Sequence, residues 1–105
     1  MPYGLKDHII KKIQEVFAKY AALERVVLYG SRAKGNYTIG SDIDLTMIGE
    51  NIEHRTINKI TNDLDDLMLP YRIDVSIYQH IKNKELIAHI NRVGKIIFKR
   101  EELRN

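Results

Sequence analysis

The most constraining stretch of this 105-residue chain runs from Gly30 to Leu45 and reads GSRAKGNYTIGSDIDL. It follows the apolar run VVLY and ends in an acid–apolar alternation, DIDL. Because side chains two residues apart on a β-strand share a face, Asp42 and Asp44 are predicted to point the same way, while their apolar neighbours enter a core. Carboxylates held this close repel each other. The pair therefore predicts a bound cation, and a hard divalent ion with oxygen ligands suits it.

Hydrophobic periodicity divides the chain into alternating helices and strands. Apolar residues recur every three or four positions in the predicted helices, whereas short apolar or alternating segments predict strands. The predicted helices are Leu5–Tyr20, Ser31–Lys34, Ile52–Leu69 and Asn83–Val93, and the predicted strands are Arg25–Tyr29, Ser41–Ile48, Arg72–Tyr78 and Lys95–Phe98. This order predicts an α/β (α+β) fold with a small mixed sheet. We expect the helices to pack on one face, the acids to lie on the other, and residues 99–105 to fray.

A third acid, Asp74, lies in another alternating segment, where Ile73 and Val75 would face the core and Asp74 the opposite side. If this strand neighbours that of Asp42 and Asp44, the three carboxylates meet within about 5–8 Å. Taken singly, each acid has a plainer explanation as a turn residue or as part of a solvated sheet face. The three together, behind a Gly-Ser turn, favour a functional site.

The Gly-Ser turn itself suits an anion. Gly30 lets the backbone approach a phosphate, and N–H groups at the start of the next helix can bind it. The Ser31 hydroxyl can add a hydrogen bond, and Arg32 supplies nearby positive charge for a nucleotide, whereas we expect Lys34 to be solvated. Strand–Gly-Ser–helix connections are common, so the turn alone is weak evidence.

The combined pattern resembles the minimal nucleotidyltransferases of the polymerase-beta superfamily. Their signature is an apolar residue, Gly-Ser, a spacer, Asp-x-Asp, and a third acid on a later strand. Here Gly30-Ser31 is followed by the ten residues Arg32–Ser41, then by Asp42-Ile43-Asp44, and later by Asp74 within RIDV. The resemblance covers nearly the whole chain and implies a polymerase-beta-like nucleotidyltransferase fold, with residues 1–105 forming a single domain. Lys34, where many relatives have Arg, keeps the charge.

The resemblance also implies magnesium-dependent nucleotidyl transfer. Asp42 and Asp44 would hold two Mg²⁺ ions that stabilise the attacking and leaving oxygens. Asp74 would bind the ion nearer the acceptor and help to deprotonate its hydroxyl. Gly30 and Ser31 would hold the β- and γ-phosphates of a nucleoside triphosphate, with ATP as the expected substrate.

Composition restricts the partners and the compartment. The chain has 17 basic and 14 acidic residues, a net charge of +3 and no cysteine, which excludes disulfides, a thiol nucleophile and a Cys-based metal site. No segment resembles a signal peptide or a membrane span, so we expect a cytoplasmic protein without a membrane partner. The modest, scattered positive charge does not favour a nucleic-acid partner. Surface positions explain the four histidines.

The sequence offers no segment for a second, acceptor-binding domain, which predicts that the protein works with a partner. The resemblance implies a small helical partner of the HEPN type. In some such pairs the transferase is an antitoxin that attaches AMP to a tyrosine of a ribonuclease toxin. Two alternatives stay open: a nucleotide-binding subunit that neutralises its partner by contact without turnover, and a transferase acting on nucleic-acid ends or a small molecule.

Overall fold

The computed structural model describes residues 1–101, which form four helices and four strands, with short 3-10 turns at Pro2–Gly4 and Tyr78–His80. The helices are α1 (Asp7–Ala18), α2 (Gly30–Lys34), α3 (His54–Asp66) and α4 (Lys84–Val93), and the strands are β1 (Leu23–Tyr29), β2 (Ile43–Gly49), β3 (Ile73–Ile77) and β4 (Lys95–Lys99). Within these residues, no helix combines the length and apolar character needed to cross a membrane.

The strands form one mixed sheet in the order β3-β2-β1-β4. β1 is antiparallel to both β2 and β4, whereas β2 and β3 run parallel. The central place of β1 agrees with its nearly continuous apolar sequence, since an inner strand covered on both faces has no polar side to present. The predicted fold class, a small mixed sheet with helices, is confirmed.

The main core lies between the sheet and the helices α1 and α3. The apolar stripe predicted for α1 is buried at Ile9, Ile13, Val16 and Phe17, and α3 contributes Ile60 and Leu64. These side chains meet the alternate residues of the inner strands, which include Val26, Leu28, Ile43, Leu45 and Met47. This face of the sheet is therefore closed, and the acids of β2 and β3 point away from it.

The prediction that all helices pack on one face is wrong for α4. Ile90 of α4 is buried in a second, smaller cluster with Val27 and Tyr29, which are the β1 residues that point away from the main core. Because β1 is apolar on both faces, its second face also requires cover. α4 supplies that cover over β1 and leaves Asp74, on the far side of β2, exposed.

Two predicted boundaries are also wrong. α3 ends at Asp66, and Met68, predicted to belong to its apolar stripe, is 86% exposed with φ +54°. A left-handed residue just before Pro70 ends the helix there. The predicted fraying does not begin at Lys99, which belongs to β4, nor at Arg100, whose N–H donates to the Glu24 carbonyl at 2.8 Å. The rest of the predicted tail, 102–105, lies outside the described residues.

Candidate active site

The three predicted acids lie at one end of the sheet. Asp44 is the second residue of β2 and is in register with Asp74 of the parallel neighbour β3. Neighbouring strands lie about 4.8 Å apart, and in-register side chains of a parallel pair share a face. Asp42 directly precedes β2, and its side chain is exposed, as is that of Asp74, whereas Asp44 is partly buried. The alternation thus brings carboxylates from two strands to one open edge.

The charges of these acids interact. Burial raises the pKa of Asp44 above its ordinary value, the neighbouring carboxylates of Asp74 and Asp42 raise it further, and His89 lowers it. Burial also raises the pKa of the Tyr29 hydroxyl, and the charges of Asp44 and Asp74 add to this effect. A cation placed among the carboxylates would relieve this repulsion and favour the ionised form of Asp44.

Gly30 lies against Asp44 at the point where β1 ends and α2 begins. Tyr29, the residue before it, is in register with Asp44 across the antiparallel pair. Gly30 has φ +75°, and a β-carbon there would collide with Oδ2 of Asp44. A side chain at this position would be strained by the left-handed backbone and would also displace the Asp44 carboxylate. The turn that the sequence predicts to hold phosphate is thereby adjacent to the acids.

Ser31 occupies the first turn of α2 and is partly exposed. No side-chain cap closes this helix at Tyr29, and the helix ends at Gly35, whose φ is +99°. The sequence therefore predicts this short helix and its terminating glycine correctly. Helix-start N–H groups and a serine hydroxyl are the chemical groups that bind phosphate oxygens.

Arg32 does not present its charge to a ligand, contrary to the prediction. The residue is 2% exposed, and its guanidinium donates to the carbonyls of Tyr3, Ser41 and Ile39 at 2.9, 3.0 and 3.1 Å. The rings of Tyr71 and Tyr37 flank it, with centroids 5.0 and 5.5 Å from Cζ. Since a planar guanidinium can reach several acceptors at once, Arg32 instead fixes the loop between α2 and β2 to the N-terminal segment.

His89 is a residue of this site that sequence reasoning missed. Its Nε2 accepts a hydrogen bond from the Gly30 N–H at 3.0 Å. The interpretation of the four histidines as surface residues is therefore wrong for His89. A signal was present, because His89 lies three residues after Leu86 and four before Val93, on the apolar stripe of α4.

The donor chemistry of the site fits magnesium. Among residues 1–101, no three His, Asp or Glu side chains are arranged so that they could hold a metal ion by themselves. Magnesium, however, is commonly held by one or two carboxylates together with water and substrate phosphates. Asp44 and Asp74, in register on adjacent strands, supply carboxylates of that kind beside a turn suited to phosphate.

A profile of the family described as "Polymerase beta, Nucleotidyltransferase" matches residues 11–103. The chain belongs to this family. The matched range includes the Gly-Ser turn and all three acids of the nucleotidyltransferase, so the resemblance predicted from the sequence motif is confirmed. No curated protein matches its sequence.

Solved structures share the fold of this nucleotidyltransferase. One is a chain of a crystal structure of a toxin–antitoxin pair with AMP-PNP, with a TM-score of 0.68 and 17% identity, over 92% of this chain and 76% of the other. Another is a chain from the structure of a tri-AMPylated HEPN toxin of Shewanella oneidensis in complex with an MNT antitoxin. It has a TM-score of 0.67 and 14% identity, over 91% of this chain and 74% of the other. At these identities the likeness establishes the polymerase-beta-like fold.

Proposed function

We propose that this nucleotidyltransferase uses magnesium and ATP to transfer AMP to a hydroxyl group of a partner protein of the HEPN type. The observation that carries the proposal is the register of Asp44 with Asp74 beside the Gly30 turn. Two-metal sites of this kind stabilise both the attacking and the leaving oxygen of an in-line displacement at phosphorus.

The acids and the Gly-Ser turn have separate roles in this proposal. Asp42 and Asp44 would hold magnesium, with Asp74 as a further ligand on the acceptor side. A bound ion would neutralise charge on the triphosphate and on the attacking oxygen. Gly30 lets the backbone approach the terminal phosphates, and Ser31, at the start of α2, holds them through its backbone N–H and its hydroxyl.

We assign Asp74 to the acceptor because β3 is an edge strand and the Asp74 side chain is exposed. The Asp74 carboxylate takes the proton of the acceptor hydroxyl. The acceptor oxygen forms a bond to the α-phosphorus, the bond from that phosphorus to the bridging oxygen of the β-phosphate breaks, and pyrophosphate leaves. An exposed base suits an acceptor that arrives on another protein.

The choice of a protein acceptor is supported by the two structural neighbours. One contains a toxin modified by AMP together with an MNT antitoxin, and the other a toxin–antitoxin pair with AMP-PNP. By analogy, the acceptor of this protein is a tyrosine hydroxyl of a toxin, and its modification makes the protein an antitoxin. The shared fold makes this analogy reasonable, and the in-register acids make the transfer chemically feasible.

The test combines the protein with the product of the adjacent gene, magnesium and ATP labelled at the α-phosphate. We expect label on the partner and a mass increase of one AMP group, both absent with Asp44→Asn and retained with Asp66→Asn, an exposed α3 acid. No label with any nucleoside triphosphate contradicts the proposal. If Asp44→Asn still neutralises the partner, the protein acts by contact alone, and label on RNA or a small molecule identifies a different acceptor.

A further inference from the structure

The contact between His89 and Gly30 joins α4 to the turn that precedes α2. The Gly30 N–H donates to Nε2 of His89 at 3.0 Å, over 59 residues of sequence. Because a ring nitrogen accepts a hydrogen bond only when it carries no proton, this contact requires the tautomer with its proton on Nδ1. His89 thereby satisfies one of the N–H groups that a helix start leaves without an intrahelical partner.

The ring of His89 is also fixed in orientation. It meets the Tyr29 ring edge-on, with centroids 6.2 Å apart and planes at 81°. Tyr29 is buried and in register with Asp44, and the next residue of α4, Ile90, is buried against the same part of β1. The imidazole therefore links the Gly30 backbone to Tyr29, the residue that pairs with Asp44.

The turn needs an anchor of this kind. α2 has five residues and no side-chain cap, and a helix of that length is not stable by itself. Gly30 has φ +75°. Because glycine adopts positive and negative φ about equally readily, its own preference does not fix this conformation. The backbone at this position is therefore held by tertiary contacts and not by local propensity.

We infer that His89 is a positioning residue of the phosphate-binding turn: its Nε2 holds the Gly30 N–H so that the start of α2 keeps its place beside Asp44. The inference rests on the proposed function, since it assumes that a triphosphate binds at this turn. His89 acts through Gly30 and need not contact the nucleotide.

Two variants separate the hydrogen bond from the packing. His89→Gln keeps an acceptor near the position of Nε2 but loses the ring, whereas His89→Phe keeps the edge-on contact with Tyr29 and loses the acceptor. His8→Phe, at an exposed position of α1, is the matched control. The affinity for AMP-PNP with magnesium is measured by calorimetry, and the exchange rate of the Gly30 amide proton by NMR in the free protein.

We expect His89→Phe to bind AMP-PNP about five- to tenfold more weakly, the size expected for one lost hydrogen bond, and to exchange the Gly30 proton faster. His89→Gln and His8→Phe should stay within about twofold of the wild type, well below the effect of one lost hydrogen bond. The inference is overturned, while the proposed function stands, if His89→Phe binds AMP-PNP as tightly as the wild type or more tightly. It is likewise overturned if His89→Phe and His89→Gln lose the same affinity. If the wild-type protein binds no AMP-PNP, the proposed function fails and this role fails with it.

Discussion

The carboxylate of Asp44 occupies the space that a β-carbon at Gly30 would need, so that a methyl group at position 30 would collide with Oδ2. This contact joins the two halves of the motif, which are separated by the loop between α2 and β2. It explains why the turn requires glycine for space as well as for its positive φ. It also makes the position of one acid dependent on the backbone at the Gly30 turn.

Gly30→Ala should therefore damage both the fold and the site. We expect a loss of about 1–3 kcal/mol in the free energy of unfolding from left-handed strain and the displaced carboxylate, together with loss of AMP-PNP binding. Gly40→Ala is the control, because a β-carbon there meets nothing within 4 Å. Denaturant titration measures the stability, and equal behaviour of the two variants would contradict the steric account.

Asp44→Asn should stabilise the protein when no ligand is present. Burial and the charges of Asp74 and Asp42 raise the pKa of Asp44, so its ionised form costs stability above that raised pKa. With allowance for solvent screening of a partly exposed group, we expect the melting temperature at pH 7 to rise by about 2–4 °C.

The pH dependence of this stability difference follows from the raised pKa of Asp44. As the pH falls through the raised pKa of Asp44 towards the ordinary value of 3.8, the wild type takes up its proton and the cost disappears. The melting temperatures of wild type and Asp44→Asn should therefore converge in acid. A variant that is less stable than the wild type at pH 7 without ligand would contradict this prediction.

Arg32→Ala should destabilise the fold more than most single substitutions. It leaves the carbonyls of Tyr3, Ile39 and Ser41 without their buried donor, for which we expect a loss of about 3 kcal/mol. The neighbouring exposed cation gives the control, since Lys34→Ala should change stability by less than about 0.5 kcal/mol. If Arg32→Ala retained full stability and lost only nucleotide affinity, the residue would be a ligand after all.

The link between α1 and α3 should weaken in acid. The Tyr20 hydroxyl donates to Asp63, and Lys19 Nζ lies 3.0 Å from the same carboxylate. These contacts, the Tyr20 hydrogen bond first, lower the pKa of Asp63, so its contribution to stability is present above 3.8 and is lost as the pH falls through the lowered pKa. Asp63→Asn should therefore lower the melting temperature at pH 7, and its difference from the wild type should shrink as the pH falls through the lowered pKa of Asp63. Asp66→Asn, exposed on the same helix, should lower the melting temperature at pH 7 less than Asp63→Asn does.

The sequence predicts the features of this fold that depend on local periodicity. The alternation around Asp44 and Asp74 assigns each acid to a strand and to a face, because side chains on a strand repeat every two residues. The short helix α2 follows in the same way from the Gly-Ser turn and the terminating Gly35. These features need no knowledge of which elements become neighbours.

The features that depend on tertiary contacts were not predictable in this way. An amphipathic stripe on α4 shows that one side of the helix is buried, but it does not say which face of the sheet buries it. The sequence suggests that Arg32 is a free cation because one of the carbonyls that accept its hydrogen bonds, that of Tyr3, lies 29 residues away. The place of His89 on the apolar stripe of α4 indicates burial, but it does not identify the partner, Gly30, which is 59 residues away.

We propose that carboxylates from β2 and β3 form a magnesium-dependent nucleotide site beside Gly30. The most direct test is calorimetric titration of the protein with AMP-PNP, with magnesium and again with EDTA, for the wild type, Asp44→Asn and Asp74→Asn. We expect the wild type to bind AMP-PNP only with magnesium, and we expect each substitution to abolish or strongly weaken this binding. Binding that is equally tight in EDTA, or unchanged by the two substitutions, would contradict the proposal.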